Sequence, residues 1–189
     1  MTVIGASLGG LKALQTLLHG LPPGFPMPLA LVLHRHKDDD DLLPAALQKH
    51  SALPVTEVAD KEPILSGHVY VAPANYHLLA EPAHFSLSTD EPVEYARPSI
   101  DVLFESAADA FGAKVIGVVL TGSSQDGARG AACIQRCGGT VIVQDPATAE
   151  SPAMPAAALA ATHTPFVLRI DQIAAALLQI TQSTKARNP

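Results

Sequence analysis

The segment Val3-Ile4-Gly5-Ala6-Ser7-Leu8-Gly9-Gly10 constrains this chain more than any other. A short apolar run ends in small residues, and the amphipathic stretch Leu11 to His19 follows at once. The pattern predicts a strand, a tight glycine turn and a helix, with Ser7 at the crossover. Backbone N–H groups at the start of such a helix aim into the same space and favour negative charge there. The segment also fits G-x-S-x-G. A serine at this place serves as a nucleophile, a phosphate contact or a helix N-cap, and the motif alone leaves all three open.

Taken onward, the chain alternates strands and helices. Pro28 to His34 is a continuous apolar run, the mark of a strand covered on both faces. Asp38 to Asp41 offers capping carboxylates to a helix from about Leu42 to His50, with Pro44 in its first turn. From Pro54 to Thr89 the pattern changes to short β segments: Val55 to Val58, His68 to Ala72, Tyr76 to Ala80 and His84 to Ser88. The last two, joined through Glu81-Pro82-Ala83, predict an antiparallel hairpin.

Helix spacing returns at Ile100, Leu103, Phe104, Ala107, Ala108 and Phe111, with Ser99 as N-cap and Gly112 at the end. A buried strand is predicted over Val115 to Thr121, then a loop over Gly122 to Gly127 and a helix ending near Cys137. Thr140 to Gln144 and Phe166 to Leu168 read as strands, Pro155 to Ala161 as a helix. Asp171 caps a last helix through about Ile180, and the polar tail from Thr184 is expected to fray. The whole predicts one α/β unit: an open, mostly parallel, doubly wound sheet with a central antiparallel β-hairpin insertion.

Composition narrows the functions. A net charge of -6 over 189 residues, with no basic cluster, argues against a nucleic-acid surface. No apolar run approaches the roughly 20 residues of a membrane span, so the protein is not expected to be membrane-inserted. Met1 leads straight into the glycine turn with no basic region before it, so no signal peptide is expected. Cys133 and Cys137 lack C-x-x-C spacing and read as buried thiols in a reducing cytoplasm.

Ligands of open α/β sheets sit beyond the carboxyl ends of the strands. Ser7 follows the first strand, His34 ends the second, and Asp126 lies in the loop after Val115 to Thr121. A nucleophile, a base and an orienting carboxylate would then meet at one sheet edge. The chain order Ser, His, Asp differs from that of the α/β-hydrolases, so the G-x-S-x-G match does not imply that fold.

With these residues go Gly9-Gly10, Gly67-His68-Val69-Tyr70-Val71-Ala72-Pro73, Arg97-Pro98-Ser99-Ile100-Asp101, Leu120-Thr121-Gly122, Asp126-Gly127 and Met154-Pro155. In this set and order the chain resembles the catalytic domain of the CheB-type chemotaxis receptor methylesterases, from about Val3 to Ile180. The resemblance implies a catalytic domain over 1–182 and a polar tail over 183–189, with no receiver domain in this chain. It also implies a cytoplasmic enzyme that removes methyl groups from glutamyl γ-esters on the cytoplasmic helices of methyl-accepting receptors, with some glutamine deamidation. Separate response-regulator or signalling proteins are further implied partners, and no metal or other cofactor is. Carried over by position, the triad falls on Ser7, His34 and Asp126. Leu8 and Ser123 are the candidate oxyanion donors, and Arg97 and Met154 the candidate substrate contacts. Three departures bear on cleft shape: Leu8 after the serine, Ser123-Ser124-Gln125 in the aspartate loop, and Ala153 before Met154.

Other readings use the same residues. His34-Arg35-His36-Lys37-Asp38 fits H-x-H-x-D, which would make a metal-dependent hydrolase of His34, His36 and Asp38. A dinucleotide module would use Gly5, Gly9 and Gly10, yet Ser7 stands at its central glycine. A catalytically idle domain that keeps the fold for protein interaction is the third.

Overall fold

The structure, a computed structural model, describes residues 1–35 and 42–187, with side chains through residue 182. Its centre is a seven-stranded, wholly parallel sheet in the order β3-β4-β2-β1-β7-β8-β9. The strands are β1 (Thr2–Ala6), β2 (Leu29–Leu33), β3 (Val55–Glu57), β4 (Val69–Val71), β7 (Ile116–Val119), β8 (Thr140–Gln144) and β9 (Phe166–Leu168). A separate antiparallel hairpin joins β5 (His77–Ala80) to β6 (Phe85–Ser88). The central strands are apolar on both sides because helices cover both.

Alternation along β1 and β2 divides the core. Val3, Ala30 and Val32 pack with α3 (Ile100–Phe111), α4 (Ala128–Arg136) and α5 (Ala153–Ala161), under the hairpin's Leu78 and Phe85. Ile4, Leu29 and Leu31 pack with α1 (Gly10–His19), α2 (Leu43–Gln48) and α6 (Ile170–Arg187). In α1 the buried residues Gly10, Ala13, Leu14, Leu17 and Leu18 form one stripe. Full burial of a leucine side chain stabilises by about 1.5–3 kcal/mol, so stripes of this kind hold the helices down.

The doubly wound sheet and the hairpin agree with expectation. The short segments β3 and β4 pair in parallel and extend the main sheet from β2, leaving only β5 and β6 to the hairpin. Three-residue strands carry no periodicity that separates the two pairings. The last helix runs on to Arg187, beyond both the expected end at Ile180 and the expected fraying point. The predicted caps Asp38 to Asp41, and the candidate ligands His36 and Asp38, lie outside the described residues.

The chain leaves β1 for β2 on one side and returns later to β7 on the other. The strand order therefore reverses beside β1. The crevice at the carboxyl ends of β1 and β7 is where such a sheet leaves room for a ligand.

Candidate active site

Ser7 follows β1 at this crevice, and its amide donates to the Thr121 carbonyl beyond β7 at 2.9 Å. The Gly10 amide then closes the turn onto the Ser7 carbonyl at 2.7 Å. Gly9 turns the corner at φ +77°, and an added Cβ there would sit 2.7 Å from Glu150 Cβ. Only glycine adopts that backbone without strain. Among the described residues the Leu8 amide has no hydrogen-bond acceptor, and Leu8 stands 55% exposed.

Thr121, itself buried, fastens this turn. Its hydroxyl reaches the carbonyls of Leu8 and Ser151 at 2.9 and 3.2 Å and accepts the Ser151 amide at 2.9 Å. The Thr121 amide in turn donates to the buried Gln144 side chain at 2.9 Å. Three loops at the sheet edge are thus tied at one threonine.

His34 extends the β1–β2 ladder by one bond, its amide donating to the Ala6 carbonyl at 3.0 Å. Its Nε2 lies 2.8 Å from Asp126 Oδ2, with the histidine side chain 16% exposed and the aspartate fully covered. Asp126 accepts three further bonds: Ile100 N–H at 2.7 Å on Oδ2, and Asp101 N–H and Ser99 O–H at 2.9 Å each on Oδ1. Burial alone would raise its pKa, but the bonds from His34, Asp101 and Ile100 prevail and hold it below the ordinary aspartate value. An ionised carboxylate only accepts, so Nε2 carries the imidazole proton and Nδ1 is left as the basic nitrogen.

The clamp is the first turn of α3. Ser99 is its N-cap, accepting from Val102 N–H at 3.4 Å while donating to Asp126. Helix N-terminal amides favour an anion, and here the anion is the aspartate. The Ser99 amide donates to His77 Nδ1 at 3.2 Å, and His77 Nε2 donates to the Glu91 carbonyl at 3.1 Å. His77, at the start of β5, is 2% exposed and props the clamp from below.

The other candidates distribute as follows. Ser7, Leu8, His34 and Ser123 line one open cleft of about 690 Å³. No direct Ser7–His34 hydrogen bond is formed within it. His34, Arg97 and Ser124 border a neighbouring cavity of about 350 Å³. Arg97 holds that cavity's wall through Asn75 Oδ1, at 3.2 and 2.7 Å, and through the Thr89 and Asp90 carbonyls at 2.7 and 3.0 Å. Met154 borders neither space. It is 1% exposed and packs against Gly122 beside Ser7, a floor beneath the serine and not a wall facing substrate.

No cluster of three or more His, Cys, Asp or Glu side chains among the described residues has the spacing of a metal site. His34 itself is turned onto Asp126. No helix among the described residues is long and apolar enough to cross a membrane.

The profile of the CheB methylesterase family matches residues 2–177. A Leptospira interrogans protein is 44% identical over 182 residues, covering 96% of this chain and 94% of that one. The protein-glutamate methylesterase/protein-glutamine glutaminase 2 of Anaeromyxobacter dehalogenans is 40% identical over 182 residues, 96% of this chain and 53% of that protein. Against relatives of the latter kind the chain spans about half the length. The crystal structure of the Thermotoga maritima CheB methylesterase catalytic domain superposes with a TM-score of 0.91 at 33% identity, covering 95% of this chain and 97% of that one.

Proposed function

The chain belongs to the CheB methylesterase family, and on that premise we propose that it is a serine hydrolase of protein glutamyl γ-methyl esters. Ser7 Oγ attacks the ester carbonyl while His34 Nδ1 takes its proton. Asp126 keeps the proton on Nε2 and stabilises the imidazolium that forms. The Leu8 amide, with that of Ser123, receives the developing oxyanion. His34 returns the proton to departing methanol, and water then releases the glutamate by the reverse sequence. The same steps on a glutamine side chain release ammonia. The observation that carries this reading is the 2.8 Å contact of His34 with a carboxylate already fixed by three other donors, beside a cleft that Ser7 shares.

The absence of a Ser7–His34 bond fits a resting site, since catalytic hydrogen bonds often tighten only around substrate. The natural substrates under this reading are cytoplasmic helices of methyl-accepting receptors, met in the cytoplasm by a catalytic unit spanning 1–182. Methylated receptor membranes incubated with the protein should release methanol, and added chelator should leave the rate unchanged. No methanol from such membranes, or release that chelator abolishes, would overturn the assignment.

A further inference from the structure

Arg35 is a buried cation in this cleft that the chemistry above leaves unused. Strand β2 delivers His34 and Arg35 in succession, and alternation sends their side chains to different sides. His34 turns to Asp126. Arg35 crosses the ends of β4 and β3, where Nη2 donates to Glu57 Oε2 at 2.6 Å and to the Ala72 carbonyl at 3.4 Å. Its side chain is 6% exposed, and among the described residues its Nε and Nη1 have no acceptor.

A guanidinium cannot give up its charge and carries five N–H hydrogens. Those on Nε and Nη1 have lost their water and gained no acceptor among the described residues. Folded proteins rarely leave donors so, because a buried donor without an acceptor carries the whole cost of desolvation. Placement suggests what completes the pair. Arg35 borders both the Ser7 cleft and the adjoining cavity, so a chain seated at Ser7 passes over it.

The surroundings favour an anion. Arg97, on the far wall of that cavity, donates only to neutral oxygens and forms no ion pair among the described residues. Lys12 borders the Ser7 cleft. Among the described residues, the negative groups facing this space are Glu57, already bonded to Arg35, and the exposed Glu94. Asp126 is screened behind His34.

Resting on the methylesterase reading, we infer that Arg35 is a specificity-determining residue that takes a side-chain carboxylate of the substrate polypeptide, near the esterified glutamate. Glu57 grips the guanidinium through Nη2, leaving Nε–H or an Nη1–H to donate to an incoming carboxylate oxygen. Such charge-assisted bonds are stronger than neutral ones, and a cleft that excludes water strengthens them further. Acidic sequence around the ester is thereby selected in binding.

The test uses twin peptides bearing one glutamyl γ-methyl ester, with Glu or its neutral isostere Gln one, three or four residues to either side. Calorimetric titration into the full chain carrying Ser7→Ala measures binding without turnover. The best Glu peptide should bind about 10- to 100-fold tighter than its Gln twin, the range for a hydrogen bond to a charged group. Adding Arg35→Gln should bring the ratio near one. Arg35→Lys, which keeps a cation for Glu57, should cut it severalfold and serves if the glutamine variant does not fold. Glu and Gln twins that bind alike, twins that both fail to bind, or a preference that survives in a folded Arg35 variant would overturn the proposal. Methanol release by the Ser7 protein is read separately, so a protein that prefers Glu but releases no methanol loses the esterase reading and keeps the anion site.

Discussion

Asp101 and Asp126 brace the starts of each other's helices. The Asp101 amide donates to Asp126 Oδ1 at 2.9 Å, and the Asp101 carboxylate accepts the amides of Gly127 at 2.9 Å and Gly130 at 2.7 Å. The first turns of α3 and α4 are thus cross-braced, each anchored by the other's aspartate. The two carboxylates differ electrically. Asp126 sits below the ordinary aspartate value, whereas burial and the charge of Asp126 hold Asp101 above it despite the Gly130 amide.

Asp126→Asn should damage both stability and turnover. Each oxygen of Asp126 meets a backbone donor, Asp101 N–H on one and Ile100 N–H on the other, so either amide orientation sets N–H against N–H. Leaving a buried donor unpaired costs about 1–3 kcal/mol. Loss of the histidine tautomer should lower kcat by up to ~10⁴-fold, as replacing the orienting aspartate of a serine-protease triad does. Denaturant melts and esterase kinetics measure the two effects, and near-parent turnover would remove Asp126 from the mechanism.

The pH dependence of stability should separate the two aspartates. The lowered pKa of Asp126 contributes stability above the unfolded value of about 4, lost as pH falls through the folded value. The raised pKa of Asp101 works oppositely: its contribution is complete below about 4 and declines as pH rises through its folded value. Asp101→Asn keeps an oxygen for Gly127 and Gly130 and cannot titrate. The variant should therefore gain stability relative to the parent as pH rises from 4 to 7. Parallel urea midpoints across that range would contradict the assignment.

Gly122→Ala should displace the serine. The added Cβ would overlap Met154 Sδ and lie 2.8 Å from Ser7 Cβ. Met154 is packed and Ser7 is held by its ladder bond to Thr121, so the backbone must shift. Overpacking of this kind costs about 1–3 kcal/mol. Turnover should fall with it, and a thermal melt beside a rate assay checks both. An alanine variant with parent-like rate and melting would show that the serine turn has slack.

Ser7→Ala tests the nucleophile directly. No side-chain hydrogen bond caps α1, and the N-cap position is Gly9. Loss of the hydroxyl should leave the melting temperature unchanged. Methanol release and labelling by a serine-directed phosphonate should both vanish. A folded Ser7→Ala protein that releases methanol at the parent rate would overturn the serine mechanism.

The sequence by itself determined the alternation of elements, the turn at Ser7 and the cap at Ser99, because these rest on local periodicity and backbone preference. Apolar runs such as Leu29 to Leu33 announce burial on both faces, and glycines mark where the chain must turn sharply. Placement of Ser7, His34 and Asp126 after separate strands also follows from order alone, once the sheet is taken as parallel.

The tertiary structure decided what spacing does not encode. Whether β3 and β4 join the sheet depends on partners far along the chain, and so does His77 becoming a buried prop. Ser99 reads locally as a helix cap, yet its hydroxyl also serves Asp126, 27 positions away. In sequence Arg35 is one charge of a polar stretch; in the fold the ends of β3 and β4 enclose it, and among the described residues two of its nitrogens have no partner. Hydrogen bonds and burial are properties of neighbours in space. A sequence names the donors and acceptors, but only the packed chain determines which of them are left without partners.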